Sequence, residues 1–412
     1  MYIRSTTRIG KVAAMAAVVA ITVAGVAGGL AEGVSAAVIS ENKATAVFDV
    51  PGRNNIAPHL ESLIKSAKRG STIKYAAYLF SHKGIADALI NAHENNDVTV
   101  QILVSGKAPD EAKQQVSAVQ DALKGGGDES WIKICEGGAR KNSCQGTNAM
   151  HNKFLLIDDQ EGTAPVVSTG SANLLGTSGG SGSGVAAPSD GYYDSWYTDV
   201  GNRGLYSRYE KYFADLENMK QSENYYAENG GPTATGNVKS YFYPRSGDGR
   251  PITMLEELGK TDCTKGGDIR VGHFSLKRPE VLDKLIEKAR DGCGTAIVVT
   301  RIDKSDCQKV ARALKYGKLS LRVFHPDNPW YMHNKDVLID GEYEGSRKKV
   351  VFAGSNNLNS LSEYSNDENL LRITDDRIFA EYRANWEFIK NVTSQEGKGV
   401  HIRGVADCDK IG

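Results

Sequence analysis

The sequence predicts an α/β protein made of two similar lobes related by a pseudo-two-fold axis. Three observations predict it. Strand-like apolar runs alternate with amphipathic helical runs, which calls for sheets covered by helices on both faces. The order of those runs repeats in the second half of the chain. A short motif also occurs once per half, as His151-Asn152-Lys153, four residues, Asp158, and again as His333-Asn334-Lys335, four residues, Asp340. Each copy stands behind a methionine, Met150 or Met332. Each is followed by Gly-Ser-x-Asn, at Gly170-Ser171-Ala172-Asn173 and Gly354-Ser355-Asn356-Asn357.

The elements are justified in chain order. Residues 1–36 read as a signal peptide: Arg4, Arg8 and Lys11 precede an apolar run over 12–30, and Val34-Ser35-Ala36 offers a small-x-small site with cleavage after Ala36 or Ala37. The rival is an uncleaved anchor, since the run approaches the length of a membrane span. An N-terminal lobe is expected over 37–228. Within it, 73–79 reads as a strand, 84–93 as an amphipathic helix, 98–104 as the next strand and 111–123 as another helix. Residues 176–191 are rich in glycine and serine; they read as a solvated loop or, following Asn173, as a lid. Asn229-Gly230-Gly231-Pro232 marks a linker over 228–237. A C-terminal lobe over 238–412 repeats the series: strand 269–274, helix 279–290 with Pro279 in its first turn, strand 295–299, helix 306–316. Tyr209-Glu210-Lys211-Tyr212-Phe213 and Tyr382-Arg383-Ala384-Asn385-Trp386 close the lobes in matching helices.

The chain of 412 residues is long enough for two domain-sized cores. Lysine plus arginine (50) equals aspartate plus glutamate (50), so the basic excess of a dedicated nucleic-acid binder is missing. Six cysteines in an exported protein suggest disulfides. The short loops favour Cys135–Cys144 and Cys293–Cys307, leaving Cys263–Cys408. Zinc is the rival, but no CxxC or clustered Cys/His spacing supports a metal site.

The duplicated motif fits phosphoryl chemistry. Residues two apart on a strand share a face, so His151 and Lys153 point together, as do His333 and Lys335. Asp158 and Asp340 have the opposite parity, which suits them to a structural role. Two such strands brought together place two imidazoles among two ammonium groups and the Ser171/Asn173 and Ser355/Asn357 clusters. Lysines neutralise the non-bridging oxygens of a phosphodiester, while amides and hydroxyls add hydrogen bonds. One neutral histidine attacks phosphorus and the other, protonated, donates to the leaving alkoxide. No cofactor is required. Each histidine needs a carboxylate to fix its tautomer; Asp199 and Glu368 are the first choices, with Asp194 and Asp367 as alternatives. A single histidine is more often a satisfied core or surface residue, and His59, His82, His93, His273, His325 and His401 are read that way.

HxKxxxxD followed by GSxN in both halves resembles the phospholipase D superfamily over nearly all of the chain beyond the leader. The spacing from Asp to GSxN is longer here, with extra residues at 159–166 and 341–349 that read as extended turns. The resemblance, closest in kind to secreted bacterial phospholipase D, implies a two-lobed α/β/α sandwich and a ping-pong mechanism through a phosphohistidine. It also implies His151 as nucleophile and His333 as general acid/base; the residues alone leave the two equivalent. Three functions compete. A secreted phospholipase D, hydrolysing headgroups or transferring the phosphatidyl group to alcohols, is favoured by export, neutral charge and nearby aromatics (Tyr192, Tyr193, Trp196, Tyr197, Trp330, Tyr331) suited to a lipid–water interface. Its partner would be phospholipid at a membrane or micelle surface, met by a monomer. A secreted nuclease would need a basic groove, for which only Arg140-Lys141 and Arg347-Lys348-Lys349 offer themselves. A non-catalytic binding protein is disfavoured by the intact histidines and lysines.

Overall fold

The computed structural model describes residues 43–106, 110–124, 129–139, 142–158, 164–175, 192–247 and 249–411. The expected signal peptide, the 176–191 segment and Arg140-Lys141 lie outside them.

The first sheet contains β1 (Lys43–Asp49), β2 (Thr72–Ala77), β3 (Thr99–Ser105), β4 (Trp131–Cys135), β5 (Lys153–Ile157), β6 (Val166–Gly170) and β7 (Tyr192–Val200), in the order β1-β7-β6-β5-β2-β3-β4. The second contains β8 (Thr233–Thr235), β9 (Val238–Phe242), β10 (Thr261–Leu276), β11 (Gly294–Ile302) and β12 (Leu319–Phe324). The short β13 (Tyr331–Met332) crosses over to pair parallel with β7 of the first sheet, and the second sheet then continues with β14 (Lys335–Tyr343), β15 (Ser346–Gly354), β16 (Asn369–Ile373) and β17 (Gly399–Ile402). Its order is β17-β12-β11-β10-β14-β15-β16-β9-β8. Apart from β17 and β8, the two orders superimpose, with β2, β5 and β7 answering to β10, β14 and β16. The duplication read from the motif is therefore a duplication of whole sheets. Register repeats as well: Ala77 stands opposite Lys153 and His273 opposite Lys335.

Helices α1 (Ile56–Ser66), α2 (Lys83–Asn96) and α3 (Asp110–Leu123) cover the outer face of the first sheet, their apolar faces sharing a core with Tyr75, Leu155 and Trp196. α4 (Arg203–Glu217) and the short α5 (Tyr225–Glu228) precede the second sheet. There α6 (Thr253–Gly259), α7 (Pro279–Asp291) and α8 (Lys304–Ala313) pack the outer face. α9 (Ser360–Tyr364) and α10 (Asp376–Val392) complete the chain's helices of this kind among the described residues. The middle layer is shared. One core joins Phe154 and Leu156 of β5, Tyr209, Tyr212 and Phe213 of α4, Leu338 of β14, and Tyr382 and Trp386 of α10. Fully burying an aromatic or aliphatic side chain contributes about 1.5–3 kcal/mol, so this layer binds the lobes strongly. Ser40–Gly412 accordingly forms one compact unit.

The expected strands and helices recur with small changes of boundary. Three readings need correction. The 228–237 segment is more than a linker, because β8 within it pairs antiparallel with β9 at the edge of the second sheet. The insertion at 341–349 is the tip of the β14–β15 hairpin, where Tyr343 faces Ser346. Disulfides join Cys135–Cys144 as expected, but the others are Cys263–Cys293 and Cys307–Cys408. Cys263 opens β10 beside the end of α7, while α8 packs Cys307 against the C-terminal turn that carries Cys408. Spatial neighbours thus prevail over short loops. Three disulfides fit an extracellular or periplasmic protein. No helix among the described residues is long and apolar enough to cross a membrane.

Candidate active site

His151 lies just before β5 and His333 just before β14, at corresponding points of the two sheets. Backbone bonds set them there. His151 N donates to Asp367 O at 2.9 Å and His333 N to Tyr193 O at 2.8 Å. Each donor and acceptor come from different lobes, so the lobes are stitched together at the histidines.

The side chains cross in the same way. His151 Nδ1 lies 2.9 Å from Glu368 Oε2, and His333 Nδ1 lies 2.9 Å from Asp194 Oδ1. A carboxylate at Nδ1 holds the proton there and leaves Nε2 with its lone pair. The GSxN serines secure these acids. Ser355 Oγ donates to Glu368 Oε2 at 2.6 Å and Ser171 Oγ to Asp194 Oδ1 at 2.5 Å. The next residue in each case, Asn369 or Ser195, donates its backbone N–H to that serine oxygen, at 3.1 and 2.9 Å. The motif glycine has a steric reason. A Cβ on Gly170 would stand 2.3 Å from Ser195 O, and one on Gly354 2.5 Å from Asn369 O.

Of the acids named from the sequence, Glu368 meets His151 and the alternative Asp194 meets His333, while Asp199 meets neither. Asp199 lies five residues beyond Asp194 on β7, roughly 17 Å along a strand and on the opposite face. It accepts instead from Tyr197 Oη and Asn202 Nδ2, at 3.1 and 3.3 Å. Asp367 is not the partner of a histidine side chain either; it clamps the backbone N–H groups of Cys144 and Gly146, at 2.7 and 2.5 Å. Asp158 and Asp340, grouped with the site by their motif, stand apart from it. Asp158 accepts from Thr72 N at 2.7 Å, and Asp340 pairs with Arg347 at 2.8 Å.

Both lysines fold back onto their own histidine. Lys153 Nζ donates to His151 O at 2.7 Å, and Lys335 Nζ donates to His333 O. Each also contacts an aromatic ring that packs against the same imidazole: Tyr78 for His151 (4.7 Å between centroids) and Phe274 for His333 (5.0 Å). Tyr192 and Tyr331 extend this aromatic wall on the second side, 4.4 Å apart. Trp196 and Tyr197 are buried core residues, whereas Trp330 is 41% exposed. Asn173 Oδ1 and Asn357 Oδ1 are buried without a hydrogen-bond partner among the described residues. An unpaired buried polar atom costs about 1–3 kcal/mol, a cost that active sites carry for the sake of a ligand.

Burial dominates the titration. It lowers His151 and His333 to about 4, against the opposing pull of Glu368 and Asp194. It lowers Lys335 to about 8 and Lys153 strongly. Burial also works to raise Asp194 and Glu368, but the facing histidines and lysines outweigh it and both acids end below their ordinary range. Burial thus disfavours the charge on both imidazoles, while both carboxylates are held below their ordinary range.

Of the histidines read as ordinary, His59 bonds Thr198, His82 caps α2 and His93 meets Ser130. His273 differs. It is buried opposite Lys335, and its Nδ1 has no hydrogen-bond partner among the described residues. Its alignment with Ala77 across the repeat was the available signal.

A family model described as "Cardiolipin synthase, PLD-like domain" matches residues 60–179 and 262–390, one match in each lobe. The chain belongs to the phospholipase D-like family. Two solved structures share the fold. Phosphatidylserine synthase from Haemophilus influenzae Rd KW20 is 15% identical, with a TM-score of 0.54 over 85% of this chain and 86% of that one. Polyphosphate kinase from Porphyromonas gingivalis is 13% identical, with a TM-score of 0.55 over 89% of this chain. The match spans about half of that kinase, 49% of its length. No curated protein sequence matches the chain.

Proposed function

We propose that the protein is a secreted phospholipase D that cleaves phospholipid headgroups, or exchanges them for alcohols, through a phosphohistidine. The observation that carries this reading is the crossed pair of histidine–carboxylate contacts, which makes one centre from both lobes. One chain supplies both halves, which suits a monomer.

The charge count favours a diester. With both lysines protonated, two carboxylates and two ammonium groups balance; an incoming phosphodiester adds one negative charge, holds the lysines in that charged form, and is neutralised by protonation of one histidine. His151 Nε2 attacks phosphorus while the bond to the headgroup oxygen breaks and that oxygen takes the proton from His333 Nε2. His333 then removes a proton from water or an alcohol, whose oxygen displaces His151 from phosphorus. The lysines and the Asn173 and Asn357 amides meet the charge on the non-bridging oxygens.

The assignment of roles has a local basis. Glu368 accepts four side-chain donors: His151, Ser355, Ser362 (2.6 Å) and Asn366 (3.0 Å). Asp194 accepts from His333 and Ser171, and its Oδ2 is buried without a partner among the described residues. The less quenched carboxylate holds an imidazolium better, which makes His333 the proton carrier and leaves His151 as nucleophile.

Lipid is favoured by the aromatic wall and the exposed Trp330, and by the family model's description, which is of a phospholipid-processing enzyme. The basic run Arg347-Lys348-Lys349 is spent in ion pairs with Asp340, Glu344 and Asp376. The test is turnover of phosphatidylcholine vesicles with ethanol, beside single- and double-stranded DNA, with chelator present. Phosphatidic acid together with phosphatidylethanol is expected. DNA cleavage without lipid turnover would establish a nuclease instead.

A further inference from the structure

At the far edge of the second sheet, β12 and β17 run antiparallel with Arg322 directly opposite His401. Opposed residues of an antiparallel pair project from the same face. Both line a cavity of about 510 Å³, which Arg403 also lines. The Arg322 and Arg403 guanidinium groups make no ion pair or hydrogen bond among the described residues, although Glu396 and Asp407 also line the cavity.

The acids at the cavity do not answer them. Asp407 is committed elsewhere: it accepts the backbone N–H groups of Arg403 (2.9 Å) and Gly404 (3.1 Å) and pairs with Lys410 at 2.9 Å. Glu396 lines the cavity without reaching ion-pair distance of either arginine. Two guanidinium groups and an imidazole thus share one concave space, and they repel one another. Arg403 disfavours the charge on Arg322, and after burial both arginines lower His401. Arg403 is exposed and Arg322 and His401 are half-buried, so the unpaired guanidinium groups stay open to an anion from solution. Guanidinium presents a planar fork of donors that matches the oxygens of phosphate.

We infer that this cavity is a phosphate-binding site, separate from the two-histidine centre, built from Arg322, Arg403 and His401. Its ligand is a tetrahedral phosphate, either inorganic phosphate or the exposed phosphate of an anionic phospholipid such as phosphatidic acid. The inference does not depend on the catalytic reading, since none of these residues touches the histidine centre.

The experiment follows the His401 ring resonances of the full protein during titration with inorganic phosphate. His151→Asn/His333→Asn serves as background, so that the catalytic centre contributes nothing. Bound phosphate should raise the pKa of His401, and Arg322→Gln/Arg403→Gln should weaken binding by roughly tenfold or more, the loss expected for a charge-assisted pair. Arg322→Lys/Arg403→Lys should retain part of the affinity. With wild-type active-site residues, the Arg→Gln pair should hydrolyse a monomeric diester at the normal rate, which reports on its fold. Cosedimentation with phosphatidic acid vesicles, against phosphatidylcholine vesicles, identifies the source. Dependence on the two arginines supports a membrane lipid, and independence supports soluble phosphate. Unmoved His401 resonances, or equal phosphate affinity in the Arg→Gln variant, would overturn the site.

Discussion

The two half-sites share every motif residue and differ in the layer behind it. Glu368, behind His151, is saturated with donors, whereas Asp194, behind His333, keeps an unpartnered oxygen. The position after the motif lysine is apolar in the first lobe, Phe154, and acidic in the second, Asp336. Asp336 is buried, accepting from Ser195 Oγ at 2.8 Å and Asn334 Nδ2 at 2.7 Å. Asn152, the first-lobe counterpart of Asn334, turns instead to Asn369 and Tyr212, at 3.0 and 2.8 Å. Identical reacting groups can therefore be made unequal by their neighbours, without any change in the motif itself.

The largest expected effect comes from removing the reacting groups. His151→Ala and His333→Ala should each lower kcat by roughly four orders of magnitude or more while the fold persists. Acid quench with labelled substrate separates their roles. His333→Ala should retain a phosphoryl adduct on His151, and His151→Ala should form none; the opposite pattern would reverse the assignment. Next come the acids. Asp194→Asn and Glu368→Gln should each cost roughly 10²–10⁴ in kcat, the range known for a misoriented catalytic histidine. Asp199→Asn should leave kcat near the wild-type value, and a comparable loss there would break the crossed arrangement.

Asp336 offers a subtler test of the comparison. Burial, the largest influence, raises its carboxyl to about 7. The folded chain then keeps a proton that the unfolded chain releases above 3.8, so this group's stabilisation is present at low pH and fades as pH climbs toward 7. Asp336→Asn should gain on the wild type across that window, by up to roughly a few kcal/mol. Parallel curves of unfolding free energy against pH for the two proteins would show that Asp336 does not titrate there. The smallest effect concerns the disulfides. Cys307–Cys408 closes 101 residues and Cys135–Cys144 only 9. Chain-entropy scaling makes removal of the longer link worse by about 2 kcal/mol, a difference that denaturant titration of the two double serine variants can resolve.

The motif residues, the order of strands and helices, and the kinship of the halves were legible because each is a local pattern. Side-chain alternation put His151 with Lys153 and set Asp158 apart; in the structure β5 begins only at Lys153, whose Nζ turns back to His151 O, and Asp158 accepts from Thr72 N. Asp194 was harder to select. From the GSxN serine, the acid lies 23 residues on in the first lobe and 13 in the second, so counting along the chain misaligns them. The mispaired cysteines have a similar origin, since loop length says little about which strand end meets which helix. His273 looked like any core histidine until β10 paired with β14 and set it across from Lys335.

By itself, the sequence determined that the motif residues come in two sets and that each set accompanies its own sheet. Only the tertiary structure decided that each histidine takes its carboxylate from the other lobe. That partnership depends on how α4 and α10 pack between the sheets, and a buried interface between elements far apart in the chain leaves no periodic trace in either one.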